Sequence, residues 1–94
     1  MKRVLIASLP ATAALMAGAA QASADKASAA GCMKCHDVER KKLAAPFKDI
    51  AARNRGNQDY VDAMVKKLAR GSGHPKSAAS EAELKAIMDW IVKL

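Results

Sequence analysis

Cys32-Met33-Lys34-Cys35-His36 is the part of this 94-residue chain that most limits what the chain can become. Two thiols spaced by two residues lie close together on one turn of backbone, and a histidine follows the second at once. A redox-active disulfide built from such a pair usually opens a helix behind a strand in an α/β domain. No segment here shows the sustained two-residue alternation of a strand. A zinc site needs a fourth ligand, for which His74 is the one histidine outside the motif. Neither chemistry requires the histidine at that spacing. Haem c attachment does. Each thiol adds to one vinyl group on the same porphyrin edge, and the adjoining imidazole of His36 is brought under the iron as its proximal ligand.

The size of the chain argues the same way. Met1-Lys2-Arg3 leads into a short apolar run that ends at Gln21-Ala22-Ser23-Ala24, an Ala-x-Ala pattern followed by the polar Asp25. This reads as an export signal, residues 1–24, cleaved after Ala24. Pro10 interrupts the run, whose unbroken part is shorter than the roughly 20 residues of a membrane span, so no stable anchor is expected. The remaining domain, residues 25–94, is near the lower limit for a self-sufficient core. Its aromatic side chains are Phe47, Tyr60 and Trp90 alone. A domain of this kind needs a staple, and a buried flat cofactor supplies one. Without Lys2 and Arg3 it holds 14 basic against 9 acidic side chains, a net charge of +5. Lys34, Arg40, Lys41 and Lys42 cluster near the cysteines. They suit docking to an acidic surface, or simple solvation. The charge forms no nucleic-acid recognition motif, so none is expected as a partner.

The periodicity predicts an all-α fold of three to four helices wrapped around the cofactor, without internal repeats. Asp25 to Ala30 is helix-compatible and runs into the motif. After a charged loop, Asp37 to Lys42, Pro46 can open a helix of two turns at most, with Phe47, Ile50 and Ala51 on one face and Gly56 beyond its end. Val61, Met64, Val65 and Leu68 form one stripe of a helix from Gln58 to Arg70, capped by Asn57 or Asp59 and ended by Gly71. Ser80-Glu81-Ala82-Glu83 is a capping box opening the last helix, with Leu84, Ile87, Met88 and Ile91 as its buried stripe.

In this order of features the chain resembles the small bacterial class I cytochromes c across essentially all of residues 25–94. The resemblance implies a first helix ending in Cys-x-x-Cys-His, a Pro-aromatic pair at Pro46-Phe47, and a last helix containing Trp90, with Phe47 and Trp90 each packing near the haem. It further implies that the Pro46 carbonyl accepts a hydrogen bond from the His36 ring. The chain departs from the family at the second axial ligand, a loop methionine between the last two helices. The loop here, Gly71-Ser72-Gly73-His74-Pro75-Lys76-Ser77, has none. Met64 and Met88 lie on helical apolar stripes, where core filling accounts for them. His74 becomes the leading candidate for the distal ligand, with an open site, Lys76 or Met64 as alternatives.

These readings lead to a periplasmic monohaem protein that shuttles single electrons between redox partners, as a monomer or as a subunit of a redox complex. Two alternatives remain at this level. One is an open sixth position that binds a diatomic gas, and the other is a relay haem within a larger enzyme. No separate cluster of acid, base and nucleophile is present, and the domain leaves little room for a substrate pocket, so the chain is not expected to be an enzyme.

Overall fold

The computed structural model describes residues 21–94, and the expected leader up to residue 20 lies outside the described residues. Among the described residues four α-helices follow one another: α1 (residues 21–29), α2 (Phe47–Asn54), α3 (Gln58–Arg70) and α4 (Glu81–Ile91). A 3-10 turn, Cys32–Lys34, follows α1, and no strand occurs among the described residues. No described helix is long and apolar enough to cross a membrane. Helix α1 already includes Gln21 to Ala24, ahead of the Asp25 start read from the sequence. No Gly or Pro interrupts those residues, and Gln21 Nε2 donates to Asp25 Oδ1 one turn on, at 3.2 Å.

Each later helix has an identifiable start or stop. Pro46 supplies the N-cap of α2 with φ −63° and ψ 148°. Of the two caps open to α3, Asn57 is used, its side-chain oxygen accepting the Tyr60 amide at 3.0 Å. Gly71, at φ 73°, ends α3 by donating its N–H to Lys67 O, a left-handed position suited to glycine. Helix α4 opens on the complete capping box: Glu83 N donates to Ser80 Oγ at 3.1 Å and Ser80 N to Glu83 Oε1 at 3.0 Å.

The core lies where α3 crosses α4 and α2 leans on α4. Val61, Val65 and Leu68 of α3 are buried in one cluster with Leu84, Ile87, Met88 and Ile91 of α4. Phe47 enters from α2 and Ala27 from α1, both essentially sealed from solvent. The structure divides the apolar stripe read on α3. Val61 and Val65 are buried in the core, whereas Met64 is half-buried and shares an adjacent row with Tyr60 and Leu68. An i, i+4, i+8 row turns slowly around a helix, so the two rows diverge by enough to serve two surfaces.

Phe47→Ala removes the largest sealed side chain and is expected to cost about 3–5 kcal/mol, measured by urea unfolding of the haem-loaded protein. A second expectation concerns acid. The Ser80 amide, then the Ser80 hydroxyl, hold the Glu83 carboxyl below its usual value. A depressed folded pKa means that this stabilisation is complete above the unfolded glutamate value of about 4.3 and is lost as pH falls through the folded value. The gap in Tm between the native protein and Glu83→Ala should therefore be constant near neutrality and narrow in acid.

Candidate haem-binding site

Gly31 turns the chain out of α1 with φ 91°, a left-handed conformation that a Cβ would strain. The next residues wind tightly, so that the Cys32 carbonyl accepts the Cys35 amide at 3.2 Å and the His36 amide at 3.0 Å. Cys32 and His36 thereby stand one turn apart and face the same space. The two cysteines are not joined in a disulfide, and burial pushes the Cys32 thiol up, against a smaller lowering from its own backbone.

Downstream, the loop folds back on the motif. Asp37 Oδ2 accepts the Glu39 and Arg40 amides at 2.9 and 2.8 Å, which closes a tight turn directly after His36. The Arg40 amide, then that of Glu39, hold the Asp37 carboxyl below the usual range. Ala44 N donates to Cys35 O at 2.9 Å, and the first free N–H of α2, on Phe47, donates to Asp37 O at 2.9 Å. These bonds bring Ala45 beneath the imidazole. His36 Nδ1 lies 2.6 Å from Ala45 O. A carbonyl can only accept, so Nδ1 carries the proton and Nε2 keeps its lone pair.

The expected acceptor at this point was the carbonyl of Pro46, and the structure corrects it by one residue. Pro46 is the N-cap of α2, and its carbonyl already accepts from Asp49 N and Ile50 N at 3.1 and 3.2 Å. The carbonyl one residue earlier has no helix to serve. Pro46 is itself buried, and its part is to hold that junction.

Beside His36 opens a cleft with about 590 Å³ of empty space, counting its mouth, lined by side chains from every helix except α1. Cys32, His36 and His74 are its metal-binding or reactive members. The rest are almost entirely apolar: Phe47 and Ile50 of α2; Tyr60, Met64 and Leu68 of α3; Ile87, Met88 and Ile91 of α4. Burial raises the Tyr60 hydroxyl pKa. The Phe47 ring stacks on the His36 ring, with centroids 5.0 Å apart and planes 28° apart. Trp90 meets Phe47 edge-on at 5.9 Å and 82° but does not line the cleft, so it supports Phe47 from behind. Cys35 and Pro46 likewise flank the cleft without lining it. Tyr60 was missed in the sequence because the stripe through Val61 absorbed the pattern. Its i, i+4 relation to Met64 was the available signal.

The donor set suits a haem held by thioethers. The Cys32 thiol and one imidazole with its Nε2 free border an apolar cleft, with Cys35 three residues along the same turn, and a porphyrin would fill that cleft and thereby complete the small core. The fold and the site together define a cytochrome of the c type.

Comparison with known proteins agrees with this class. Cytochrome c-552 of Nitrosomonas europaea is 36% identical over 102 aligned positions, covering 100% of this chain and 99% of that protein. Cytochrome c-551 of Allochromatium vinosum is 34% identical, over 88% of this chain and 97% of its own. Cytochrome c-552 of Hydrogenobacter thermophilus is 30% identical, over 84% and 88%. Among solved structures, the class 1 cytochrome MtoD of Sideroxydans lithotrophicus ES-1 shares the fold with a TM-score of 0.63 and 24% identity, covering 78% of this chain and 92% of that one. No protein-family model matches the chain. The chain belongs to the small class I cytochromes c, and its cofactor is covalent haem c.

Replacing both Cys32 and Cys35 by Ala should abolish covalent attachment and most cooperative helical structure. Mass spectrometry should show a polypeptide without the added haem, and far-ultraviolet circular dichroism should show loss of the cooperative melt. A native-like melt in that variant would mean that the helices pack without the cofactor.

Proposed function

We propose that this chain is an exported one-electron carrier whose haem is attached through Cys32 and Cys35 and ligated by His36. The observation that carries the reading is the hydrogen bond from His36 Nδ1 to Ala45 O, in a ring that borders the apolar cleft beside Cys32. That bond orients the imidazole and leaves Nε2 for iron. When bound, haem supplies an Fe(III)/Fe(II) couple. The protein's own contribution is to hold the ring, exclude water with Phe47, Ile50, Leu68, Ile87 and Ile91, and present a face to its partners. No substrate is bound or transformed in this reading. Residues 1–24 serve as the cleaved export signal, and the mature domain, residues 25–94, works in the periplasm.

The face for partners lies on the loop beside the cysteines. Leu43 is the one large apolar side chain among the described residues that stands exposed, at 82%. Exposed Lys34, Arg40, Lys41 and Lys42 precede it in sequence. Lys42 Nζ donates to Met33 O at 2.9 Å, and Ala44 N to Cys35 O, so the loop is tied to the segment that carries the thiols. An exposed leucine beside a basic run suits a transient contact with an acidic redox partner, in which charge steers the encounter and the short apolar contact lets it end.

Two measurements test this. The haem protein should give a reversible one-electron wave in voltammetry, and an irreversible or absent wave would contradict a carrier. Its electron exchange with anionic hexacyanoferrate should slow as salt is added, and exchange with cationic hexaammineruthenium should quicken. In the double variant Lys41→Glu and Lys42→Glu, the rate with the anion should drop several-fold at low ionic strength and converge on the native rate at high ionic strength. Unchanged rates would remove this loop from the docking face.

A further inference from the structure

The second imidazole of the chain comes to the same cleft from the opposite end of the sequence. Of residues 71–76, only His74 is withdrawn from full exposure. Its ring lies parallel to that of His36, with centroids 6.3 Å apart and planes 3° apart. Its Nδ1 lies 2.8 Å from Pro75 O, which as a carbonyl can only accept, so here too Nδ1 carries the proton and Nε2 is free.

That separation has a chemical meaning. Two imidazoles on opposite sides of one metal ion, each at a metal–nitrogen distance of about 2.0–2.1 Å and each with a ring radius of about 1.1 Å, have centroids roughly 6.3 Å apart. The two rings thus stand at the spacing of a trans pair, and both border the cleft that suits the haem. We infer that His74 is the second axial ligand of the haem iron, with its ring nearly parallel to that of His36. The inference rests on the reading of the chain as a haem-binding carrier and adds what that reading leaves open.

The loop is built to hold the ring there. Gly71 N and Ser72 N both donate to Lys67 O, at 2.8 and 3.1 Å, and Ser77 N returns to Leu68 O at 2.9 Å. The segment therefore leaves and rejoins the same turn of α3. Ser77 Oγ donates to Ala30 O at 3.2 Å, which ties the loop to the residue just before Gly31 and the thiols. Gly71 allows this closure, because a Cβ there would come within 3.0 Å of the Cβ of Lys76. The rival donors fit less well. Lys76 is exposed and does not line the cleft. Met64 does line it, but as part of the helical row with Tyr60 and Leu68.

The test uses the mature protein with haem attached. The oxidised native form should be low-spin, with the rhombic three-line electron paramagnetic resonance of near-parallel imidazoles and a near-infrared charge-transfer band of nitrogen–nitrogen ligation. His74→Ala should lose the low-spin signal and bind carbon monoxide rapidly when reduced, and added imidazole should restore the low-spin spectrum. His74→Met should keep a low-spin haem, gain a sulfur-to-iron band and shift the midpoint potential upward, since methionine is the ligand that raises it. If His74→Ala fails to fold, the native spectra and His74→Met decide. A high-spin native protein, a native sulfur-to-iron band lost in Met64→Ala, or a His74→Ala spectrum identical to native would overturn the assignment, and a single large-g signal would overturn the parallel arrangement of the rings. Those results leave covalent haem and the one-electron wave in place. Absence of attached haem, or of the wave, would instead remove the carrier reading.

Discussion

A 2.6 Å hydrogen bond from the His36 ring to the Ala45 carbonyl joins the two arms of the loop between α1 and α2, and the geometry of the site depends on it. Without it the imidazole would be free to rotate about its side-chain bonds and to exchange tautomers. With it, Nε2 is the nitrogen that remains for a metal. The bond is possible because Pro46, as helix N-cap, commits its own carbonyl to α2 and leaves the preceding one unused. Phe47, the first residue of that helix, then stacks on the ring it helped to place.

The same economy explains how so small a domain holds together. The helices pack through aliphatic side chains on α3 and α4, with Phe47 as the one fully buried aromatic among the described residues. Their inner faces also line a cleft, so part of the apolar surface these helices bring together is directed at a cofactor instead of at one another. Covalently attached haem supplies the missing bulk. Surface ion pairs such as Lys48–Glu39 at 2.7 Å add little in comparison, because both partners are well exposed.

The two histidines arrive at that cleft by different routes. His36 is delivered by a turn only a few residues long. His74 is delivered by a loop whose two ends are tied to one turn of α3 and to the residue before the thiol segment. Each ring spends its Nδ1 on a main-chain carbonyl, so side-chain substitutions nearby leave the acceptor itself intact.

Much of the architecture was readable in residue order alone, because it depends on local chemistry. The haem motif, the capping box at Ser80 and Glu83, the stop at Gly71 and the stripes of α3 and α4 are all set by neighbours within about one or two helical turns. The class I cytochrome family followed from the order of those features, and the relatives agree with it. Tertiary packing decided what depends on distant segments meeting. It placed Ala45 instead of Pro46 under His36, separated Met64 and Tyr60 from the Val61 row, and set Trp90 behind Phe47 and away from the cleft. It also brought His74 parallel to His36 across 38 positions of sequence, at 6.3 Å. Periodicity reports which way a side chain leaves its own helix. Which carbonyl, ring or cavity it then meets is decided only when the helices close on one another.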